Sequence, residues 1–158
     1  MDILLENLIK KQIQTSKVFN PSSSYASVRR LVVDWMCELC EVLKFQEETI
    51  HHAVTVFDLF LSKEDNMTQL KRVHSNRESG QIVQLVAVTC ILISAKFYEK
   101  TYPAVDRLNE IINSPFGFDD FIQMEGFILE FTEWQLDFIT SFDILQLLLA
   151  QGVLLNTD

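Results

Sequence analysis

Residues 81–96 read Gln-Ile-Val-Gln-Leu-Val-Ala-Val-Thr-Cys-Ile-Leu-Ile-Ser-Ala-Lys, apolar on nearly every face of a helix. A helix without a polar side has to be enclosed, by neighbouring helices or by lipid. The apolar tract, 82–95, is broken by Gln84, Thr89 and Ser94 and falls short of the ~20 residues that cross a bilayer. The expectation is a central helix wrapped by protein. The rest of the chain must then supply one-sided helices to wrap it.

Such helices are legible on both sides of it. Ile3, Leu4, Leu5, Leu8, Ile9 and Ile13 make a short amphipathic helix. Asn20-Pro21-Ser22-Ser23-Ser24 ends it and offers N-caps to the next. That next helix carries Val28, Leu31, Val32, Trp35, Leu39 and Val42 at spacings of three and four. Glu47 and Glu48 open another, at the positive end of its dipole, with a stripe of Ile50, Ala53, Val54, Phe57 and Leu61. Residues 62–80 are polar and read as a long exposed loop. Beyond the central helix, 106–113 is a short helix and Ser114-Pro115-Phe116-Gly117 a turn. Residues 119–133 carry two apolar stripes. Phe121, Met124, Ile128 and Phe131 line one face; Phe118, Ile122 and Leu129 line a second, with Glu125 among them. Two stripes imply two contact surfaces, the core and something else. Thr140 or Ser141 then caps a Leu-rich helix. With only Gly 4 and Pro 3 in 158 residues, turns are scarce, and the fold class is all-α.

The formal net charge of −9 makes nucleic acid and anionic membranes poor partners. Cys37, Cys40 and Cys90 sit in apolar periodic stretches and read as buried reduced thiols of an intracellular protein. Acids at Asp2 and Glu6 come too early for a secretory signal. Cys37-x-x-Cys40 has no second pair to complete a zinc site, and the adjacent His51 and His52 point to different sides of a helix. His74 sits in the polar stretch without a nameable partner. No phosphate-cradling loop, nucleophile elbow or paired-carboxylate pocket is evident, so neither metal nor cofactor is expected and an enzyme is the remotest reading.

Five ordered blocks carry a resemblance. They are Arg29-Arg30-Leu31-Val32-Val33-Asp34-Trp35-Met36; Glu48-Thr49-Ile50-His51-His52-Ala53-Val54; Phe57-Asp58-Leu59-Phe60-Leu61-Ser62; the run 83–99 ending Ala95-Lys96-Phe97-Tyr98-Glu99; and Met124-Glu125, Ile128-Leu129 with Trp134-Gln135-Leu136. In order and spacing they resemble the N-terminal box of A/B-like cyclins, over roughly residues 20–140. The resemblance implies a five-helix bundle around a buried central third helix, with an extra helix at each end. It divides the chain into an N-terminal helix and linker (1–19), the box (20–139) and a C-terminal Leu-rich helix (140–158), the start of a second box or a tail. It also implies a non-enzymatic regulatory subunit, in nucleus or cytoplasm, that binds and activates a Ser/Thr cyclin-dependent protein kinase.

Residue by residue, the family's kinase grip falls on Lys96 and Glu125, with Phe97, Glu99, Leu129, Trp134 and Leu136 around them. Its substrate-docking patch falls on Val28, Leu31, Val32, Trp35, Glu38, Val83 and Gln84. Its structural Arg–Asp pair falls on Arg29 and Asp58. The chain departs from the pattern at Tyr98, where a second acid is usual, at Leu59, where arginine is usual, and at Val28, where methionine is usual; the 62–80 connection is also longer than typical. The competing reading is a scaffold of the same fold that binds another protein without activating a kinase. DNA-contacting relatives of the fold would require a basic surface, against the −9 charge. The Leu-rich tail is expected to pack on the box, pair with another copy, or mark the edge of a longer protein, since leaving each leucine in water forgoes ~1.5–3 kcal/mol.

Overall fold

A computed structural model describes residues 3–16, 24–114 and 116–152, and no strand occurs among them. In chain order the helices are α1 (Ile3–Ser16), α2 (Ala26–Leu43), α3 (Glu47–Leu61), α4 (Glu64–Val73), α5 (Ser79–Tyr98), α6 (Val105–Ile112), α7 (Phe118–Phe131) and α8 (Ser141–Ala150). The expected joins at 20–23 and Pro115, and the last leucines of the tail, lie outside the described residues.

Helix α5 is the axis. Twelve of its residues are buried, from Ile82 to Ala95, and it packs chiefly on α3, then α7 and α2. At 20 residues it is longer than the sequence suggested, long and apolar enough by composition to cross a membrane, yet two thirds of it is enclosed by protein. Its polar groups find partners inside. Thr89 Oγ1 donates to the Leu85 carbonyl one turn back at 2.7 Å, and Ser94 bonds His52. Its two ends emerge, at Ser79 and Gly80 and again at Lys96, Phe97 and Tyr98.

The polar stretch 62–80 is not a loop: it contains α4. Glu64 and Asp65 stand at its positive end and Lys71 and Arg72 at its negative end, so the macrodipole is satisfied at both. Leu70, 1% exposed, anchors it to the core and Met67 packs beside it. Met67, Leu70 and Val73, three apart, are the only apolar residues in α4, too faint a stripe to set against its polar composition. His74, at the end of α4, is likewise buried rather than loop-exposed.

Two polar ties fix the bundle around α5. Arg29 on α2 grips Asp58 on α3 with two parallel hydrogen bonds, Nε to Oδ1 and Nη2 to Oδ2, both 2.7 Å. Tyr25 adds its hydroxyl to Oδ1 at 3.2 Å, and burial pushes that phenol up to about 12. The second tie is His52 on α3, fully buried. A carbonyl only accepts, so Nε2 donates to Leu136 O at 2.6 Å and Nδ1 accepts from the Ser94 hydroxyl at 2.7 Å. One imidazole thus joins α3, α5 and the segment after α7. Phe97, Tyr98 and Phe138 ring it.

At the C-terminal end, Thr140 caps α8 in a reciprocal box with Asp143. Phe142 is buried and stacks on His51, with centroids 4.8 Å apart. The described part of the Leu-rich tail therefore packs on α3, and α1 lies across it through Lys11–Asp137 and Gln12–Ser141. Neither Ser24 nor Ser141 caps a helix: Tyr25 holds the N-cap position of α2 without a side-chain bond.

Replacing Asp58 by Ala strands a guanidinium that is only a third exposed, and the expected loss of unfolding free energy in urea is about 3 kcal/mol. His52 yields a pH dependence. Burial lowers its pKa from the ordinary 6.5, so below that pH the unfolded chain takes up a proton that the native state resists. Stability is expected to fall as pH drops below about 6.5, by at most about 1.4 kcal/mol per pH unit from this one site. Urea midpoints from pH 5 to 8 for the natural chain and for His52→Gln check it. The difference between the two curves should shrink toward acid pH, and a constant difference would contradict the assignment.

Candidate functional site

Lys96 leaves the last turn of α5, and Glu125 stands on α7. Their side chains meet at 2.5 Å, Nζ to Oε1, at 41% and 26% exposure. A pair this open is worth ~0–1 kcal/mol, too little to explain its place as a stabiliser. The bond uses one of three ammonium protons and one of two carboxylate oxygens. With both side chains partly exposed, the remaining donors and acceptor are free to meet a carbonyl and an N–H of another chain.

The pair stands at the rim of a groove of about 600 Å³ between the C-terminal half of α5, the start of α6 and α7. Phe118 (65% exposed), Ile122 (51%) and Tyr102 (54%) line it, three large side chains left bare at one place. Lys96 Nζ also lies 6.0 Å from the Tyr102 ring centroid. The second stripe of α7 is thus the wall of this groove. Tyr102 and the stretch before α6 carried no signal in the sequence, because an irregular segment has no period to read.

Phe97 and Trp134 are exposed, at 61% and 71%, and Leu129 is half-buried one turn after Glu125. Trp134 reaches solvent through an unusual backbone. Glu133 and Trp134 both have positive φ, 51° and 61°, and neither is glycine. Each such residue costs about 1–2 kcal/mol. The returns from Trp134 N–H to Leu129 O (2.9 Å) and Gln135 N–H to Thr132 O (2.9 Å) hold the reversal.

Two expected contact residues point elsewhere. Leu136 is 5% exposed, drawn into the core by the bond from His52 to its carbonyl, so it underlies the surface and presents nothing to a partner. Glu99 turns its carboxylate onto the start of α3, accepting from Gln46 N–H and the Thr49 hydroxyl, both at 2.6 Å. It serves as a cap supplied from the end of α5, satisfying one backbone N–H at the start of α3, that of Gln46, and the Thr49 hydroxyl.

A second groove, of about 700 Å³, opens at the other end of α5. All seven residues of the expected docking patch line it: Val28, Leu31, Val32, Trp35 and Glu38 from α2, Val83 and Gln84 from α5. Leu31 is 74% exposed and Val28 42%. Met67 and Lys71 of α4 line it too, and sequence reasoning missed both because it missed their helix. Arg29 and Asp58 lie behind this groove as a tie between α2 and α3. Asp119 and Asp120 open α7, and Asp120 does more than serve the dipole: it bonds Gly117 N–H and pairs with Arg77 at 2.7 Å.

The cysteines are free thiols: Cys40 and Cys90 are buried, Cys37 only partly. Burial pushes Cys40 up to about 12, and Cys90 upward as well, so neither is a thiolate at neutral pH. Among the described residues no three metal-ligating side chains gather.

Comparison with known proteins agrees with the helical arrangement. Residues 2–137, a span that includes α1, match the family described as Cyclin, N-terminal domain. The chain is 29% identical over 115 residues to Cyclin-A1-2 of Arabidopsis thaliana, covering 73% of this chain and 23% of that protein. It is 36% identical over 114 residues to G1/S-specific cyclin-E of Caenorhabditis elegans (72% and 20%). It is 25% identical over 159 aligned positions to G1/S-specific cyclin-D1 of Mus musculus (95% and 50%). The relatives cross the A, E and D types, and the chain spans a fifth to a half of their length. With a central helix enclosed by its neighbours and the family match running over most of its length, the chain belongs to the cyclin family and carries its N-terminal box.

Proposed function

We propose that this chain is a regulatory subunit that binds and activates a Ser/Thr cyclin-dependent protein kinase, and is not itself an enzyme. The observation that carries the reading is the Lys96–Glu125 pair, left half-exposed beside bare apolar residues. Phosphoryl transfer in such kinases requires the lysine of the third strand and the glutamate of the C-helix to be paired. A rigid body that fits only the active position of that helix shifts the population toward it. Turning a 1:99 population into 99:1 takes a differential affinity of about 5.5 kcal/mol. Burying Phe97, Trp134 and neighbouring side chains of the groove is of that order, at ~1.5–3 kcal/mol each. The polar grip then sets register.

The box is assigned to residues 20–139, with 1–19 as an appended helix and 140–158 as the start of a second box or a tail. The second groove is read as a docking site for kinase substrates. A nuclear or cytoplasmic location follows from the same reading, with neither nucleic acid nor membrane as partner. The scaffold alternative draws support from Glu99, whose carboxylate is already engaged with α3.

The test is capture and activation. Full-length protein carrying Lys96→Ala and Glu125→Ala, incubated with a panel of purified cyclin-dependent kinases, is expected to lose at least tenfold in affinity for the kinase that the natural chain activates. Unchanged binding and activation would remove the proposed grip. Tight binding without any activation by the natural chain would favour the scaffold.

A further inference from the structure

His52 is fully buried, and the kinase contact proposed above makes no use of it. It stands behind the segment that carries Trp134, bonded through Nε2 to the Leu136 carbonyl and through Nδ1 to the Ser94 hydroxyl. Its cover has two parts. Ser94, Phe97 and Tyr98 belong to α5, a helix bonded along its length, with ring centroids 5.9 and 5.3 Å away for the two aromatics. Leu136 and Phe138, the latter at 5.8 Å, belong to the irregular stretch 132–140, which holds Glu133 and Trp134 in the left-handed region. The strained, irregular part is the weaker one.

We propose that His52 is the positioning residue of the partner-facing surface: its neutral ring holds the Glu133–Leu136 reversal closed so that Trp134 stands outward, and a proton on the ring releases it. The partner-facing part rests on the kinase role proposed above. A proton on Nδ1 turns an acceptor into a donor that faces a hydroxyl. Ser94 restores the bond by rotating its hydrogen to a carbonyl one turn back, as Thr89 does. The charge has no such remedy among Phe97, Tyr98 and Phe138. On α8, Asp143 favours the cation, but its carboxylate is engaged in the cap with Thr140. Burial, then Asp143 and Glu48, keep the Tyr98 phenol protonated. On α3, His51 stacks on Phe142. On α5, Lys96 pairs with Glu125, and Glu99 is turned onto the start of α3. On the irregular stretch, Glu133 and Asp137 are exposed, and Lys11 of α1 holds Asp137. Burial outweighs the Leu136 bond and Asp143, and the imidazole titrates below its ordinary 6.5. Hydrating the cation therefore requires the cover to open, and the stretch 132–140 opens at least cost.

Two measurements test this. In the first, amide exchange of the full chain alone is followed by NMR from pH 7.5 to 5 and divided by the intrinsic chemical rate at each pH. Protection at Trp134 and Gln135, whose N–H groups bond Leu129 and Thr132, should fall from about pH 6.5 downward, by at most about tenfold per pH unit for one proton. Amides of α5 should stay far better protected throughout. His52→Gln, which donates to a carbonyl and takes up no proton, should show a constant protection at 134 and 135. An equal fall in both proteins, protection at 134 and 135 as high as in α5, or no fall in the natural chain overturns the proposal. If His52→Gln does not fold, the imidazole proton signals of the natural chain decide: the loss of protection has to accompany the titration of His52, and a loss independent of it overturns the proposal. The second measurement is affinity, at pH 7.5, for a cyclin-dependent kinase found to bind the natural chain. His52→Ala should lose about tenfold and His52→Gln keep most of the binding. His52→Ala combined with Trp134→Ala should bind as Trp134→Ala alone does, because the effect passes through the indole; additive losses would leave His52 a merely structural role. If no kinase binds the natural chain, the kinase reading falls, and exchange alone decides whether His52 holds the reversal.

Discussion

The structure depends on the enclosure of α5. A 20-residue helix with buried side chains from Ile82 to Ala95 has to be surrounded by apolar faces. α3, α7, α2 and α4 each turn one face toward it. Enclosure also makes α5 rigid, and its two ends become fixed points. The N-terminal end, Ser79 to Gln84, forms part of one groove; the C-terminal end, Thr89 to Lys96, forms part of the other. Gln84 and Lys96 lie twelve residues apart on one rod, about 18 Å at 1.5 Å per residue. Two grooves at the ends of one buried helix keep a constant separation, a geometry that fits the proposed roles of kinase contact and substrate docking.

The polar ties around this axis serve position more than net stability. A carboxylate held by two guanidinium bonds and a phenol fixes α2, which lines one groove, against α3. His52 is the corresponding pin at the other end. It draws the Leu136 backbone inward while the left-handed pair Glu133–Trp134 turns the indole outward. The strain of that turn is offset by the burial of Leu136 and the hydrogen bonds behind it. Trp134 is thus presented by architecture, not left over at a frayed end.

What the sequence made legible follows from signal strength. The central helix was plain because eleven of the sixteen positions from Gln81 to Lys96 are apolar, on nearly every face. Lys96 and Glu125 were found through the resemblance, since a terminal lysine and one acid on a stripe are individually ordinary; the 2.5 Å contact is what joins them. The groove lining at the N-terminal end of α5 was legible on α2 and α5, where period and resemblance coincide. α4 is faint because its three apolar residues, Met67, Leu70 and Val73, stand among polar ones, leaving its acid-first, base-last order as the one further cue. With it went the lining by Met67 and Lys71. Leu136 and Glu99 were misplaced for a different reason. Both lie where chain direction is set by long-range bonds, to His52 and to the start of α3, and no local pattern encodes these.

Hydrogen–deuterium exchange of the full chain, alone and with a cyclin-dependent kinase found to bind it, tests the proposed kinase-facing surface most directly. If the exposed ends of α5 and α7 form that surface, amide exchange should slow across residues 96–105 and 129–136 on binding, and residues 26–38 should be unaffected until a substrate peptide is added. Protection confined to 26–38, or none at either place while the kinase is bound and active, would contradict the Lys96–Glu125 surface as the point of contact.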